Sequence, residues 1–354
     1  MGQVGVALGY YQSCLDRMNG IWAMVDAELY LPEEWFDKAH EKLRQRWHIP
    51  KERRFVFKTG LGLDMIRQAK ANGLQFEIVG CDTAYGRDSK FRTALNAEDI
   101  LYMADIPNNI YVYPTKPVFG VPSSTPGKQG RPCSRKQVVN GAKPVNVCSF
   151  ANDANLIPVP IRYSERGMLE YECSVFRVWT VSQGVVREEC LLVRKEIDGD
   201  FSFSLSNALD ASLHSVQTTE QLAYWRCERY FAERIFQDAK TEGGWDELVA
   251  RKYRAWEHHT ALDAIALWFV GETKFNWSHQ YPRDHKLLEE LEISQLPALS
   301  MSNVREMLKA VLPLPQLSPE EAIQLVVKHL VNRSYSTRCR LKAQRRMNHQ
   351  SREP

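Results

Sequence analysis

The chain has 354 residues, of which 44% are hydrophobic and 25% are charged, and its formal net charge is +3. This composition is typical of an ordinary soluble globular protein with enough apolar content for one large core or two smaller ones. The sequence has no apolar run long enough to span a bilayer and no signal-peptide pattern, so we expect a cytoplasmic protein without a membrane partner.

The first elements are predicted to be a β-hairpin and two helices. Residues 3–11 and 21–31 are rich in Val, Ile and Tyr, and the turn-like stretch CLDRMNG separates them. Glu33 to Trp47 is charged and helix-forming. Leu61 to Ala71 has the pattern of an amphipathic helix, and Asn72-Gly73 would end it.

The next segment, FEIVGCDTAYGRDSKFR at residues 76–92, contains the first candidate site residue. Its apolar run predicts a buried strand that ends at Asp82, followed by a turn at Gly86 and a helix; a further strand is predicted from Ile100 to Ile106. Active sites of open α/β sheets lie at the carboxyl ends of strands. Asp82 is therefore a candidate catalytic acid, although a strand-end Asp commonly caps only the following turn.

A basic, proline-rich stretch follows from Pro114 to about Phe150, where long regular structure is not expected. No acid occurs between Asp105 and Asp153, whereas six bases do: Lys116, Lys128, Arg131, Arg135, Lys136 and Lys143. Such a segment attracts phosphate without reading sequence, but it is also compatible with a solvated loop. We expect residues 116–143 to be loop-like without DNA and to be cleaved first by proteases. Residues 156–207 then alternate in a β manner.

The second candidate site lies in YWRCERYFAERIFQDAKTEGGWDEL, residues 224–248. On one α-helix, Arg229, Glu233 and Lys240 would fall within about 40° of one another. A carboxylate that binds a cation beside two bases that bind a phosphodiester suits a metal held against nucleic acid. The alternative is a solvated helix face with an i,i+4 ion pair.

The C-terminal part is predicted to be helical and to end in a basic tail. Asn303 to Leu312 reads as one helix, and Ser318-Pro319-Glu320-Glu321 is a capping box that would start another through Leu330. The tail contains seven bases: Arg333, Arg338, Arg340, Lys342, Arg345, Arg346 and Arg352. The eight cysteines show no C-x-x-C spacing, and several lie in apolar runs, as expected of reduced core thiols rather than zinc ligands.

Several motifs in one order resemble the DDE-type transposases of bacterial insertion sequences, in particular insertion-sequence family seven-oh-one and its SRSO-type relatives. RYFAERIFQDAKTEGGWDE, from Arg229, is similar to the R-E-K part of their Y-R-E-K signature. The other matching motifs are QVGVALGYY, ELYLPEEW, FKTGLGLDMI and GCDTAYGRD, so the resemblance runs from about Gln3 to about Phe269.

The resemblance implies an α/β fold: an RNase H-like catalytic core interrupted by a β-rich insertion, plus a small helical C-terminal module. The implied segments are 1–114 and 216–272 for the core, 115–215 for the basic loop and insertion, and 273–354 for the C-terminal module. By this resemblance Asp82 and Glu233 are the second and third catalytic acids and metal ligands, and Arg229, Lys240 and Arg226 contact DNA.

One departure from the family concerns the first catalytic Asp. Family members open with a strand that ends in this acid, whereas Gln3 and Val4 already match the family's second strand, so the resemblance implies an N-terminally truncated core. Asp16, in a predicted turn, and Asp26, in the next predicted strand, are poor replacements. The signature's tyrosine is also displaced, because Arg226 stands three residues before Arg229.

The activity implied by the resemblance is cutting of transposon ends and their joining to target DNA by two-metal phosphoryl transfer with Mg²⁺ or Mn²⁺. The implied partners are double-stranded DNA, both transposon ends and target, and further copies of the chain assembled on it in the bacterial nucleoid. Because the first Asp is missing, activity is expected to be impaired. Two alternatives stay open: a catalytically inactive remnant that at most binds DNA, and an intact enzyme whose true start codon lies upstream of Met1.

Overall fold

The computed structural model of the chain describes residues 4–13, 20–121, 136–164, 167–208, 219–280 and 300–311, and the single residues 318, 320, 321, 324 and 327. The chain divides into two units, residues 1–305 and residues 306–354. The strands and the candidate site lie in the first unit.

The predicted N-terminal hairpin is confirmed. Strands β1 (Val4–Ser13) and β2 (Gly20–Tyr30) pair antiparallel, with a register shift at Leu8/Gly9. The turn residues 14–19, which include Asp16, lie outside the described residues.

The main sheet has six strands in the order β3-β4-β12-β11-β10-β9. Its strands are β3 (Val79–Cys81), β4 (Tyr102–Ile106), β9 (Ile157–Ser164), β10 (Gly167–Ser182), β11 (Val185–Lys195) and β12 (Phe201–Ser206). Only β3 and β4 pair in parallel, and the others pair antiparallel. Gln183 and Gly184, with φ of 51° and 79°, form the two-residue turn between β10 and β11, which requires positive φ at both positions.

Two features of this sheet bear on the site. The strands predicted from residues 156–207 continue the sheet that contains β3 and β4, because β12 pairs with β4. In contrast, β1 and β2 form a separate sheet, and β3 is the last strand of the six. Strands β1 and β3 are therefore not paired with each other, and each has one edge without a strand partner among the described residues.

Helices connect and cover these strands. They are α1 (Glu41–Arg46), α2 (Lys58–Ala71), α3 (Thr83–Gly86), α4 (Ser89–Ala97), α5 (Ser149–Asn152), α6 (Thr219–Glu228), α7 (Tyr230–Asp238), α8 (Tyr253–Gln280) and α9 (Met301–Val311). A π-helical turn (Ala239–Gly243) follows α7. The predicted helix at Leu61–Ala71 is confirmed as α2, which ends before Gly73 with its φ of 86°.

The stretch from Glu33 to Trp47, predicted to be helix-forming, is helical but is not one continuous α-helix. The segment forms two 3-10 turns, Glu33–Phe36 and Lys38–His40, before the short α1. Asp37 between them has an extended backbone with φ −67° and ψ 158°, which ends the first turn. The Arg44 guanidinium donates to the carbonyl oxygens of Trp35 and Asp37, so tertiary contacts hold the bent form.

The basic segment shows only short pairings in its described parts. Strand β5 (Tyr111–Val112) pairs with β8 (Val145–Asn146), and β6 (Phe119–Gly120) pairs with β7 (Gln137–Val138). This agrees with the prediction that long regular structure is absent there. Lys128, Arg131 and Arg135, like the basic tail from Arg333, lie outside the described residues.

The hydrophobic core lies on both faces of the main sheet. Cys173, Cys190 and Leu192 pack with Leu222 and Trp225 of α6 on one face. On the other face Val178, Leu191, Val193 and Leu205 pack with Phe150 of α5. A third cluster joins α2 and α4 to β3 and β4, and Leu8 of β1 packs against it.

The described cysteines are all free thiols. Cys81, Cys173, Cys190 and Cys227 are buried, as predicted for core thiols, and Cys148 is exposed. In the C-terminal unit the predicted capping box is confirmed, since the Ser318 amide donates to Glu321 at 2.8 Å and the Glu321 amide donates to Ser318 at 3.2 Å. Among the described helices, none combines the length and the apolar character that a membrane span requires.

Candidate active site at the end of the third strand

Asp82 follows β3 directly and is the N-cap of α3. Its Oδ1 accepts hydrogen bonds from the amides of Ala84 at 2.8 Å and Tyr85 at 3.3 Å. The capping role is therefore confirmed, yet the residue is exposed. A carboxylate that caps through one oxygen and faces solvent keeps its second oxygen accessible to a ligand.

Gly86 determines how closely the turn after Asp82 approaches the sheet. A Cβ at this position would lie 2.0 Å from the carbonyl oxygen of Asp105 in β4. No side chain fits into that distance, so only glycine allows α3 to pack on β4 in this way.

Glu233 and Arg229 are neighbours on one helical face, as predicted. Oε1 of Glu233 lies 3.0 Å from Nη2 of Arg229, and the Glu233 side chain is 64% exposed. The helix is not continuous, because Arg229 lies between α6 and α7, and Lys240 lies in the π-helical turn beyond them. Lys240 is exposed, and we find no ion pair for it among the described residues.

Arg229 connects this helix to the Asp82 strand. A Cβ at Gly80, two residues before Asp82, would lie 3.7 Å from the Cβ of Arg229. Burial raises the pKa of the intervening Cys81 thiol well above its ordinary value, Asp105 and Asp82 raise it further, and Arg229 opposes them. The Cys81 thiol is therefore protonated at neutral pH and is not a nucleophile.

Arg226 faces inward. Its Nε lies 3.3 Å from Oδ1 of Asp105, and it donates from Nε to Ser204 at 3.2 Å and from Nη2 to Ser202 at 3.2 Å. Its side chain is only 11% exposed. Burial lowers its pKa, and the negative charge of Asp105 opposes this shift.

Asp105 is the residue that sequence reasoning missed. Its Oδ2 lies 2.9 Å from Nε of Arg229, so it contacts both arginines of the site. The signal in the sequence was a single acid within the apolar run LYMADI, since a buried carboxylate requires a partner. The identity of that partner depends on the packing of α6 and α7 and could not be read from the sequence.

The donor set suits a hard divalent cation only in part. Exposed carboxylates such as Asp82 and Glu233 are the oxygen ligands that Mg²⁺ prefers, and one or two of them with substrate phosphate are a common site. Within the described part of the chain no group of three or more His, Cys, Asp or Glu could hold a metal ion. That Asp82 and Glu233 approach closely enough to share an ion stays a prediction.

Residues 2–157 match the family model of the DDE superfamily endonucleases. This match supports a DDE transposase-like protein, and the mixed α/β fold is consistent with it. The matched part contains Asp82 and Asp105, whereas Arg226, Arg229 and Glu233 lie beyond it. A comparison with curated proteins found no match.

Proposed function

We propose that the chain is a DNA transposase of the insertion-sequence family seven-oh-one or SRSO type, which cuts transposon ends and joins them to target DNA. The observation that carries this proposal is the position of Arg229: it is paired with Glu233 at 3.0 Å and packs against Gly80, two residues before Asp82. These contacts support the proposal that Asp82 and Glu233, far apart in sequence, act at one site, within a chain whose first part matches DDE endonucleases.

In this proposal Asp82 and Glu233 hold Mg²⁺ or Mn²⁺. When bound, the two ions of such a site activate water or a 3′-hydroxyl and stabilise the leaving oxygen of the phosphodiester. The chain's own residues would supply the metal ligands and hold those ligands in position. Glu233 is held by Arg229, and Asp82 is fixed by its two cap hydrogen bonds.

In this proposal the basic residues around Asp82 and Glu233 contact DNA. Lys240 is exposed in the turn that follows α7 and would contact backbone phosphate without reading sequence. The Arg229 guanidinium reaches the surface beside Glu233 and would position a phosphate by bidentate hydrogen bonds. A DNA contact of Arg226 stays a prediction, and it requires the guanidinium to leave Asp105 and the two serines.

The architecture proposed for this activity is an RNase H-like core, in which residues 115–215 are the basic loop and insertion and residues 273–354 the C-terminal module. The separation of β1 from β3 into two sheets supports it, because in such a core a further strand would lie between them. Pairing of two transposon ends requires more than one subunit, so we expect further copies of the chain to assemble on DNA in the nucleoid.

The proposal assigns two acids to a reaction that uses three, so we expect little or no strand cleavage by the chain of 354 residues. The second candidate function is accordingly that of an inactive transposase remnant that binds DNA. Both candidates predict DNA binding that weakens steeply with salt.

A nicking assay on transposon-end DNA with Mg²⁺ or Mn²⁺ distinguishes them. It compares the 354-residue chain, a form extended by an N-terminal strand that ends in Asp, and the extended form with Glu233→Gln. We expect cleavage by the extended form only, with DNA binding nearly equal in all three. Glu220→Gln, an exposed acid on α6, is the matched control and should leave cleavage unchanged.

Robust cleavage by the unextended chain would show that a third acid is present in it. Equal cleavage by the Gln variant would remove Glu233 from the mechanism. Cleavage by neither form, with DNA binding retained, would favour the remnant, and loss of DNA binding in every form would contradict both candidates.

A further inference from the structure

Asp105 occupies the position next to Asp82 in the sheet. In the parallel pairing of β3 and β4, Cys81 lies opposite Ala104, so the next residues in register are Asp82, directly after β3, and Asp105, the last residue but one of β4. Their environments differ, because Asp82 is exposed whereas the Asp105 side chain is only 8% exposed.

Both carboxylate oxygens of Asp105 are occupied. Oδ1 accepts a hydrogen bond from the Ser204 hydroxyl at 2.7 Å and lies 3.3 Å from Nε of Arg226. Oδ2 lies 2.9 Å from Nε of Arg229. A cation placed on this carboxylate would face two guanidinium charges, so Asp105 is unsuited to be a metal ligand.

Arg229 uses different nitrogens for its two acids. Its Nε lies 2.9 Å from Oδ2 of the buried Asp105, an ion-pair contact without hydrogen-bond geometry, and its Nη2 lies 3.0 Å from Oε1 of the exposed Glu233. Because the guanidinium is planar and rigid, a charge contact that holds Nε restricts the positions open to Nη2. The position of the Glu233 carboxylate is thus linked to that of Asp105 through one side chain.

Charge balance supports the same link. The network contains three bases, Arg194, Arg226 and Arg229, and three acids, Asp105, Glu196 and Glu233. Removal of Asp105 would leave an excess positive charge in a mostly buried place, and Arg229 would have to turn towards solvent or Glu233 to compensate.

We propose that Asp105 is a positioning residue: it orients Arg229, which in turn holds Glu233 ready to bind a divalent ion. This inference rests on the function proposed above for Glu233. Partners of this kind, outside the metal ligands themselves, affect metal affinity by about 10- to 100-fold when they are changed.

The test is a Mn²⁺ titration of the full chain, with free Mn²⁺ measured by electron paramagnetic resonance. It compares the unchanged chain with Asp105→Asn, Arg229→Gln and the double variant. We expect Asp105→Asn to weaken Mn²⁺ binding about tenfold, and we expect no further loss from it when Arg229 is already Gln.

Two further variants separate positioning from stability. Glu189→Gln removes a charge from another buried ion pair of the same sheet, that with Arg92, and should lower stability while leaving Mn²⁺ affinity unchanged. Ser204→Ala removes one hydrogen bond to Asp105 and keeps every charge, so it should weaken Mn²⁺ binding in the same direction by a smaller factor. Ser204→Ala also replaces Asp105→Asn in the test if the Asp105→Asn variant does not fold.

Three outcomes would overturn the inference. Unchanged Mn²⁺ affinity in Asp105→Asn would show that Asp105 does not influence the site. An equal loss from Asp105→Asn in the presence and absence of Arg229 would make Asp105 a direct ligand. Weakened binding in Glu189→Gln as well would reduce the effect to general destabilisation.

A second measurement keeps the inference separate from the proposed function. If the unchanged chain binds no Mn²⁺, the proposed function fails, and the Nε–Hε nuclear magnetic resonance signal of Arg229 decides the link to Asp105. We expect this signal to shift and to exchange faster with water in Asp105→Asn but not in Glu189→Gln. An unchanged Arg229 signal in Asp105→Asn would refute the link.

Discussion

Glu189 of β11 is fully buried, and its Oε1 lies 2.9 Å from Nε of Arg92 in α4. The hydroxyls of Tyr102 and Thr180 also donate to this carboxylate. Burial by itself raises the pKa of Glu189, but the charges of Arg92 and Arg187 and the two hydroxyl hydrogen bonds outweigh burial, so the pKa is lowered. The carboxylate is therefore ionised at neutral pH and ties α4 to the sheet beneath it.

Glu189→Ala should destabilise the protein by about 3 to 5 kcal/mol, because it leaves the buried charge of Arg92 without its carboxylate counter-charge. The neighbouring Glu188 pairs with Arg177 at 3.1 Å, but at the surface, so Glu188→Ala should cost at most about 1 kcal/mol. Urea denaturation of both variants measures the difference. Equal losses would show that burial of the Glu189 pair carries no energetic weight.

Gly86→Ala should destabilise the protein by about 3 kcal/mol, because the new Cβ would meet backbone atoms of β4 that cannot move aside. Gly73→Ala is the matched control. Gly73 has a φ of 86° and open space around it, so its substitution should cost only the backbone strain of about 1 kcal/mol. Chemical denaturation curves give both values, and a Gly86 variant as stable as the Gly73 variant would contradict the close packing of α3.

Gly9→Ala and Ile235→Val should compensate each other. A Cβ at Gly9 of β1 would lie 2.5 Å from Cδ1 of Ile235 in α7, and valine lacks that carbon. We expect Gly9→Ala to cost about 1 kcal/mol less when it is combined with Ile235→Val than in the unchanged chain. Additive effects on the free energy of unfolding would mean that α7 does not pack on β1 at this point.

Asp263→Asn should stabilise the protein at high pH. Asp263 of α8 is buried, and its Oδ2 has no hydrogen-bond partner within the described part of the chain. Burial raises its pKa to about 6, His259 opposes this shift, and Asp246 adds to it. Because the folded state holds this proton more tightly than the unfolded state, the carboxyl destabilises the fold once pH rises above its folded pKa.

Asp263→Asn is therefore expected to raise the free energy of unfolding by about 2 kcal/mol at pH 8 and by close to zero at pH 4. Thermal denaturation across this pH range gives the profile. Asp246→Asn, which changes a nearby exposed acid, should change stability by an amount that depends much less on pH. A stabilisation independent of pH would assign the gain to hydrogen bonding by the amide instead of to lost charge.

Sequence patterns predicted the elements whose structure depends on residues close together in the sequence. The hairpin, α2 and the capping box at Ser318 are predicted by alternation, by periodicity and by side-chain capping, respectively. The apolar run before Asp82 likewise predicted that this residue comes directly after a strand. The Arg229–Glu233 ion pair follows from i,i+4 spacing.

What the sequence did not predict depends on contacts between distant segments. The pairing of Ser204 with Asp105 joins β12 to β4 across many residues and makes one sheet of strands from distant parts of the chain. The interruption of the helix at Arg229 occurs where that arginine contacts Asp105 of the sheet. Alternation and helical periodicity contain no information on either contact.

Because Asp105 is buried and Lys240 is exposed, salt concentration should affect their charge contacts differently. Changing the salt concentration therefore tests these contacts reversibly, without mutation. The screening length falls from about 10 Å at 0.1 M salt to about 3 Å at 1 M, which weakens contacts between exposed charges and affects enclosed ones much less. The Asp105 and Arg229 side chains are 8% and 23% exposed, whereas Lys240 is open to solvent. If the proposed DNA contact of Lys240 is made, high salt should therefore weaken it while Arg229 stays paired with Asp105, and low salt should restore it in the same sample.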